Sequence, residues 1–212
     1  MLSTGLSEIH IRGVPESSLI HPALAGFVLA GGKSRRMGKD KAELKWDDHR
    51  TLLEHMVYLL STAAAPVRIV GRKELPDTVS NCGPLGGILT ALDVSSSPAN
   101  LIVAVDLPSL TPEFLSWFAA RVTSSSQQLV TCQIGGDFPL CLGVHRGLKD
   151  RIAARIHAGE LALHRWIRDS DPEIVSEDEI QSAGFPLSIF LNVNTPYDWK
   201  VLRDSLGGPT KL

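Results

Sequence analysis

The sequence predicts one α/β domain with a doubly wound, mostly parallel Rossmann-like sheet and helices on both of its faces. Apolar segments of strand length alternate with segments of helical periodicity along the chain. Two of the strand segments, 25–30 and 100–105, are continuous apolar runs, which is typical of strands buried on both faces. A length of 212 residues suits a single domain, since domains usually have about 100–200 residues.

The predicted elements follow one another at regular intervals. Three positions have the pattern of helix starts, namely Thr51, Thr111-Pro112 and Thr195-Pro196. In each a threonine hydroxyl can cap the helix, and in the last two a proline fits the first helical position. Glycines at 135–136 predict a turn that permits one antiparallel strand. In chain order we expect strands at 25–30, 67–70, 100–105, 128–132, 140–145 and 189–192, and helices at 51–63, 86–92, 112–121, 147–158 and 196–206.

Composition and charge narrow the class of protein. Hydrophobic residues make up 43% and charged residues 21% of the chain, which is ordinary for a globular protein. We expect the domain at 23–208, after a flexible extension (1–22) and before a short tail (209–212). No apolar run approaches the roughly 20 residues that span a bilayer. A net charge of −2 argues against a nucleic-acid binder. The extension lacks the apolar core of a signal peptide, and three widely spaced cysteines suggest neither disulfides nor zinc, so we expect a cytoplasmic protein. We also expect a monomer.

The most informative segment follows the first strand, where three glycines and five cations lie within residues 31–41. Gly31 and Gly32 allow backbone N–H groups to approach a ligand, and the cations can neutralise a polyphosphate. The spacing fits neither a Walker A loop nor the Gly-x-Gly-x-x-Gly dinucleotide signature. The simpler alternative is a glycine-rich turn with solvated charges.

The string from Leu29 to Lys41, Leu-Ala-Gly-Gly-Lys-Ser-Arg-Arg-Met-Gly-Lys-Asp-Lys, closely resembles the signature of the nucleotidyltransferases typified by molybdenum cofactor guanylyltransferase. This resemblance implies that Leu29, Ala30, Gly31, Gly32 and Lys41 bind the nucleotide. It also implies that Arg36 and Lys41 act on the phosphates during catalysis.

Asp106 ends the apolar strand at 100–105 and precedes Leu107-Pro108. Because strands of a parallel sheet carry their ligands beyond their carboxyl ends, this carboxylate is expected beside the glycine-rich loop. A carboxylate that meets phosphates suits Mg²⁺, although an aspartate that caps a turn would have the same sequence. Asp-x-Pro is also the second motif of the family, which implies that Asp106 is a catalytic and nucleotide-binding residue and the magnesium ligand.

The segment Gly83-Pro84-Leu85-Gly86-Gly87 leads into the predicted helix at 86–92. Glycines there allow close approach to a base or ribose, or only make a tight connection. The resemblance assigns Gly83, Gly86 and Gly87 to the nucleoside pocket. Asp77 is a candidate to accept hydrogen bonds from the N1–H and N2 amino group of guanine, although an aspartate beside a proline also fits an ordinary turn.

Asn192-Val193-Asn194-Thr195-Pro196 is the last motif. Alternate residues of an extended segment face the same way, so Asn192 and Asn194 can present their amides to one ligand, while Thr195 caps a helix. The phrase resembles the C-terminal signature of the same family, where it implies binding of the acceptor.

The resemblance implies transfer of GMP from GTP, with Mg²⁺, to the terminal phosphate of molybdenum-molybdopterin, and contact with proteins that carry molybdopterin or mature molybdoenzymes. Two alternatives stay open. One is a cytidylyltransferase of the same fold that acts on molybdopterin or a small phosphorylated acceptor. The other is a non-catalytic nucleotide-binding adaptor in molybdoenzyme maturation.

Overall fold

A mixed sheet forms the centre of the protein. The computed structural model describes residues 24–31 and 40–205. The strands of the described part are β1 (Leu24–Leu29), β2 (Val67–Val70), β3 (Ala99–Ala104), β4 (Leu129–Cys132), β5 (Cys141–His145) and β6 (Glu173–Val175). Their order across the sheet is β2-β1-β3-β5-β4-β6, and β5 runs antiparallel to both of its neighbours. The predicted fold class, with one antiparallel strand, is confirmed.

Helices cover both faces of this sheet. The described helices are α1 (Leu52–Ser61), α2 (Gly83–Val94), α3 (Pro112–Ser124), α4 (Lys149–His157), α5 (Leu163–Asp169), α6 (Glu177–Ser182) and α7 (Pro196–Ser205). Helices α1, α3 and α6 pack on one face, and α2, α4 and α5 pack on the other. Successive residues of β1 alternate between the two cores, with Val28 in the first and Phe27 and Leu29 in the second.

The predicted helix caps and turn are present. Thr51 and Thr111 accept hydrogen bonds from the backbone of Glu54 (3.3 Å) and Phe114 (3.2 Å), so α1 and α3 begin where the sequence indicates. Gly135 and Gly136 have φ values of 58° and 82°, which turn the chain from β4 back into antiparallel β5.

The predicted strand at 189–192 is wrong. Leu187–Phe190 is a 3₁₀ helix, and residues 191–192 are outside the sheet. Ile189 and Phe190 are consecutive and both buried, and Phe190 packs edge-on against Phe114 at a centroid distance of 5.1 Å. An apolar run of this length fits a buried turn as well as a strand, so periodicity could not separate the two.

Helix α2 begins three residues earlier than the predicted helix at 86–92. Gly83, Gly86 and Gly87 therefore belong to the first turns of the helix, whereas the sequence suggested that Gly83 lies in front of it. Pro84 explains the early start, because proline is well tolerated in the first turn. Helices α5 and α6 and strand β6 were not predicted, and β6 has only three residues.

Several predictions concern residues outside the described ranges. These are the extension at 1–22, the tail at 209–212, the helix end at Leu206, and Gly32 and Arg36 of the glycine-rich loop. Among the described helices, none combines the length and the apolar character needed to cross a membrane.

Candidate active site

Three parallel strands end together at one edge of the sheet. Beyond β1, Ala30 N–H donates to the Val70 carbonyl at the end of β2 (2.9 Å), and Val105 N–H donates to the Leu29 carbonyl (3.1 Å). Main-chain pairing therefore continues one residue past β1 and β3, which carries Gly31 and Asp106 to the same edge. This is where open parallel sheets bind ligands.

A pocket of about 590 Å³ opens at this edge. Of the residues predicted to bind the nucleotide, those that line it are Leu29, Gly31, Lys41, Asp77, Gly83, Gly87 and Asp106. Ala30 and Gly86 do not line it, because Ala30 is buried in the core and Gly86 packs against Cys82 and the Val79 carbonyl. The apolar part of the lining comes from Val70, Ala104, Val105 and Leu140.

An ion pair joins the ends of two predicted motifs in this pocket. Lys41 Nζ lies 2.9 Å from Asp106 Oδ2, and the two side chains are only 17% and 21% exposed. Lys41 is presented by a short 3₁₀ turn, Lys41–Glu43, and Asp106 follows β3. Residues that are 65 positions apart in the chain thus meet at the pocket.

The Asp77 carboxylate lies on the pocket wall between two glycines. A Cβ atom built on Gly31 would lie 3.6 Å from Asp77 Oδ2, and one on Gly87 would lie 3.7 Å from Oδ1. Burial raises the pKa of this carboxyl, and no hydrogen bond to it comes from the described residues. As far as the described residues go, both oxygens are therefore left for a donor that enters the pocket.

Gly31 also touches a second glycine, Gly71, which follows β2. Gly71 has a φ of 84°, and a Cβ atom there would lie 2.5 Å from Gly31 Cα. Real Cβ atoms do not approach backbone so closely, so the two segments can meet here only because residue 71 is glycine.

The amino end of α2 forms another wall, with Gly83, Pro84 and Gly87 at the pocket. The residue before it, Cys82, makes no side-chain cap. The N–H groups of the first turn lack partners within a helix, and the helix dipole favours negative charge at this end.

The predicted acceptor motif lies beside Asp106. Val193 N–H donates to the Asp106 carbonyl at 2.9 Å. Val193 is buried, whereas Asn192 and Asn194 on either side are exposed, which fits the predicted alternation. Neither amide lines the pocket, so the two predicted acceptor residues lie outside it. Thr195 and Asp198 cap α7, since Asp198 N–H donates to Thr195 Oγ1 (3.1 Å).

Two supporting residues escaped the sequence analysis. His55 of α1 is buried, stacks on Trp46 at 3.9 Å, and its Nε2 lies 3.1 Å from the carbonyl of Pro108 in the Asp106-Leu107-Pro108 turn. Burial lowers the pKa of His55 from its usual 6.5 to about 4, so the neutral ring donates to that carbonyl. The second is Arg72, which forms an ion pair with Asp40 next to Lys41. Neither belongs to a recognisable motif, so only the fold could reveal them.

The carboxylates available for a metal are few. Among the described residues, no three His, Cys, Asp or Glu side chains cluster as a metal site would require. Magnesium, however, usually takes only one or two protein carboxylates and completes its coordination with substrate phosphates and water. The carboxylate of Asp106 at the pocket is within that number.

Comparison with known proteins extends this description. The sequence model of the MobA-like NTP transferase domain matches residues 26–174. A probable molybdenum cofactor guanylyltransferase from Mycobacterium tuberculosis is 34% identical over 162 residues, which cover 70% of this chain and 81% of that protein. A protein of the same name from Bacillus mycoides is 23% identical over 190 residues, 82% of this chain and 93% of its own length.

Two solved structures share the fold. Molybdopterin-guanine dinucleotide biosynthesis protein A from Archaeoglobus fulgidus has a TM-score of 0.73 at 20% identity, covering 86% of this chain and 98% of its own. The 2-C-methyl-D-erythritol 4-phosphate cytidylyltransferase from Thermus thermophilus has a TM-score of 0.55 at 15% identity, covering 85% and 97%. The family match spans the described pocket from β1 to β6, and the predicted resemblance is confirmed. The chain belongs to the MobA-like NTP transferase family and is a nucleotidyltransferase.

Proposed function

We propose that the protein transfers GMP from GTP to the terminal phosphate of molybdenum-molybdopterin, releasing pyrophosphate and forming the guanine dinucleotide cofactor. The observation that carries this proposal is the Lys41–Asp106 pair at the pocket, 2.9 Å apart at the carboxyl ends of the strands. The name of the mycobacterial relative supports the guanylyl donor and the molybdenum cofactor. We further propose that it works in the cytoplasm as a monomer, with proteins that carry molybdopterin or mature molybdoenzymes.

The reaction needs position and charge rather than a protein nucleophile. An oxygen of the acceptor phosphate attacks the α-phosphorus of GTP, the new P–O bond forms, and the bond to the bridging oxygen breaks as pyrophosphate leaves. The acceptor phosphate is largely dianionic at pH 7, because its second pKa is about 6. Lys41, Arg36 and the N–H groups of Gly31 and Gly32 would stabilise the negative charge on the phosphates.

Asp106 would hold Mg²⁺, which when bound supplies positive charge at the phosphate oxygens. In the structure, Lys41 Nζ donates to Oδ2 of this carboxylate. When a nucleotide enters, the lysine would turn from Asp106 to the phosphates. Asn192 and Asn194 would then face the acceptor, since Val193 fixes their segment to the main chain of Asp106.

Asp77 is the residue that we propose reads the base. Its two oxygens can accept from the N1–H and the N2 amino group of guanine together. Cytosine offers one amino donor beside an acceptor nitrogen, whose lone pair would face the second oxygen. The half-buried position of the carboxylate on the pocket wall, between Gly31 and Gly87, supports guanine.

The base preference can be measured directly. Pyrophosphate release is followed with Mg²⁺ and molybdenum-molybdopterin, with GTP or CTP as the donor. We expect GTP to be preferred, and Asp77→Asn to lower kcat/KM for GTP by about 10- to 100-fold, because a hydrogen bond to a charged group contributes about 1.5–3 kcal/mol. Asp93→Asn, which changes a carboxylate at the other end of α2, is the matched control.

The same experiment separates two other functions. Faster release of pyrophosphate with CTP would indicate a cytidylyltransferase. The cytidylyltransferase from Thermus thermophilus has a similar fold, so this alternative is tested as well. Tight binding of GTP without release of pyrophosphate would indicate an adaptor.

A further inference from the structure

We propose that Arg72 is a positioning residue for nucleotidyl transfer, which acts through Asp40 to hold Lys41 at the phosphates. The inference rests on the proposed function, in which Lys41 contacts the nucleotide. It concerns a side chain on the turn after β2 that does not line the pocket itself.

Asp40 connects the two cations. Its Oδ1 accepts from the N–H of Ala42 at 3.1 Å, which caps the 3₁₀ turn that begins with Lys41. The same carboxylate accepts two hydrogen bonds from the Arg72 guanidinium, one of them at 2.8 Å from Nη2 to Oδ1. The residue next to Lys41 is therefore fixed by its own turn and by a partner 32 positions away.

Arg72 is anchored in turn. Leu75 N–H donates to the Arg72 carbonyl (3.1 Å), and Gly71 N–H donates to the Leu75 carbonyl (2.9 Å), which closes a tight loop after β2. That loop touches Gly31 through Gly71. The turn after β2 therefore contacts both ends of the glycine-rich loop. Arg72 binds Asp40 at the end of the loop, and Gly71 touches Gly31 at its beginning.

Arg72 and Asp40 form a two-pronged ion pair at the protein surface. Their side chains are 23% and 39% exposed, and a two-pronged guanidinium contact fixes direction as well as distance. The pKa of Asp40 is lowered, chiefly by its hydrogen bonds from Arg72, so the carboxylate stays ionised. A lysine at this position would provide charge without the planar fork.

The first test replaces the arginine. Arg72→Met should lower kcat/KM for the nucleotide by about 10- to 100-fold, since a displacement of about 1 Å at a reacting group can cost that much. KM for the acceptor should not change, and Arg72→Lys should restore only part of the loss. The matched control is Arg121→Met, which removes an arginine paired with Glu173 and Glu179 at the opposite edge of the sheet. It should lower stability and leave kcat/KM as it is.

The decisive test is a double-mutant cycle with Lys41→Ala. If Arg72 acts through Lys41, Arg72→Met should have almost no further effect in the Lys41→Ala protein, because coupled residues are not additive. A full, multiplied loss in the double variant would overturn the inference, as would an unchanged kcat/KM in Arg72→Met.

A binding measurement keeps this test independent of turnover. GTP affinity is measured by calorimetry for the same four proteins. Arg72→Met should weaken GTP binding in the wild-type background but not in the Lys41→Ala background. If the wild-type protein released no pyrophosphate, the proposed function would fail, whereas the coupling in GTP affinity would still decide the role of Arg72. Equal weakening in both backgrounds would refute that role.

Discussion

The two halves of the sheet differ in what their charged side chains contact. In the half formed by β2, β1 and β3, all strands are parallel and end at the pocket, where the half-buried Asp77 carboxylate has no described partner. In the half formed by β5, β4 and β6, Arg121 is paired with Glu173 and Glu179. On the ligand side, a carboxylate with no described partner faces the pocket, whereas at the far edge the carboxylates of Glu173 and Glu179 are paired within the fold.

Two glycines show the same difference. At Gly71 a Cβ atom would meet the backbone of Gly31 at 2.5 Å, within the candidate site. At Gly143 in β5 a Cβ atom would meet Val122 Cγ2 of α3 at 2.2 Å, within the core. Both exclude a side chain, but the first keeps two functional segments together and the second lets a helix pack on a strand.

The largest expected effect comes from Asp106→Ala. Magnesium-dependent turnover should be abolished, because the carboxylate that we assign to the metal is lost. Circular dichroism and thermal unfolding check that the fold is intact. A folded Asp106→Ala protein with wild-type turnover would mean that the metal ligand lies elsewhere.

Lys41→Ala should have the next largest effect. We expect kcat to fall by about 10²- to 10³-fold, or roughly 3–4 kcal/mol, the usual loss when one stabiliser of transition-state charge is removed. Steady-state rates of pyrophosphate release measure it. Lys149→Ala, which breaks an ion pair with Asp93 between α4 and α2, serves as the control and should be active.

The glycine pair provides a direct comparison of the halves. Gly71→Ala and Gly143→Ala should each destabilise the fold by about 1–3 kcal/mol, because both introduce overpacking. Only Gly71→Ala should also lower kcat/KM, since it displaces Gly31 at the pocket. Urea unfolding and kinetics on the same samples give both quantities. Adding Val122→Ala should recover stability in Gly143→Ala. A lower kcat/KM in fully folded Gly143→Ala protein would contradict the difference between the two halves of the sheet.

His55 gives the ligand side a dependence on pH. Its pKa is about 4 in the folded protein and 6.5 when unfolded, so the unfolded chain binds the extra proton first as pH falls. Stability from the neutral ring is complete above 6.5 and is lost as pH falls towards 4, by about 3 kcal/mol in all. The free energy of unfolding at pH 7 and pH 4.5 should therefore change less in His55→Gln than in the wild type. Equal changes would show that His55 does not titrate in this way.

The smallest effect concerns the stability of the unliganded protein. Burial raises the pKa of Asp77, so ionisation of this carboxyl opposes folding above its folded pKa. Asp77→Asn should therefore raise Tm slightly at pH 7, even though it impairs the use of GTP. A lower Tm would indicate that the carboxylate has a stabilising partner.

The sequence predicted the parts of this molecule that depend on local chemistry. Thr51 and Thr111 mark helix starts through their hydroxyls, and Gly135-Gly136 mark a turn through their backbone freedom. The strand predicted at 189–192 failed because buried apolar runs look alike whether they pair or turn.

The site was predictable where its residues belong to a motif or lie close to one. Lys41 and Asp106 belong to motifs, Asp77 lies a few residues before Gly83, and the fold brings all three to one pocket. Arg72 and His55 act through partners that are distant in the chain, and no local pattern encodes a contact between residues 32 or 53 positions apart. Their roles depend on the packing of β2 and α1 against the site.

The most direct test of the account is a single-turnover experiment with the wild-type protein, GTP, Mg²⁺ and molybdenum-molybdopterin, in which pyrophosphate and the dinucleotide are measured together. We predict that the two products appear at the same rate and in equal amounts, and that neither forms when the acceptor is left out. GTP that binds at the pocket and is recovered intact in the presence of the acceptor would contradict the proposed transfer.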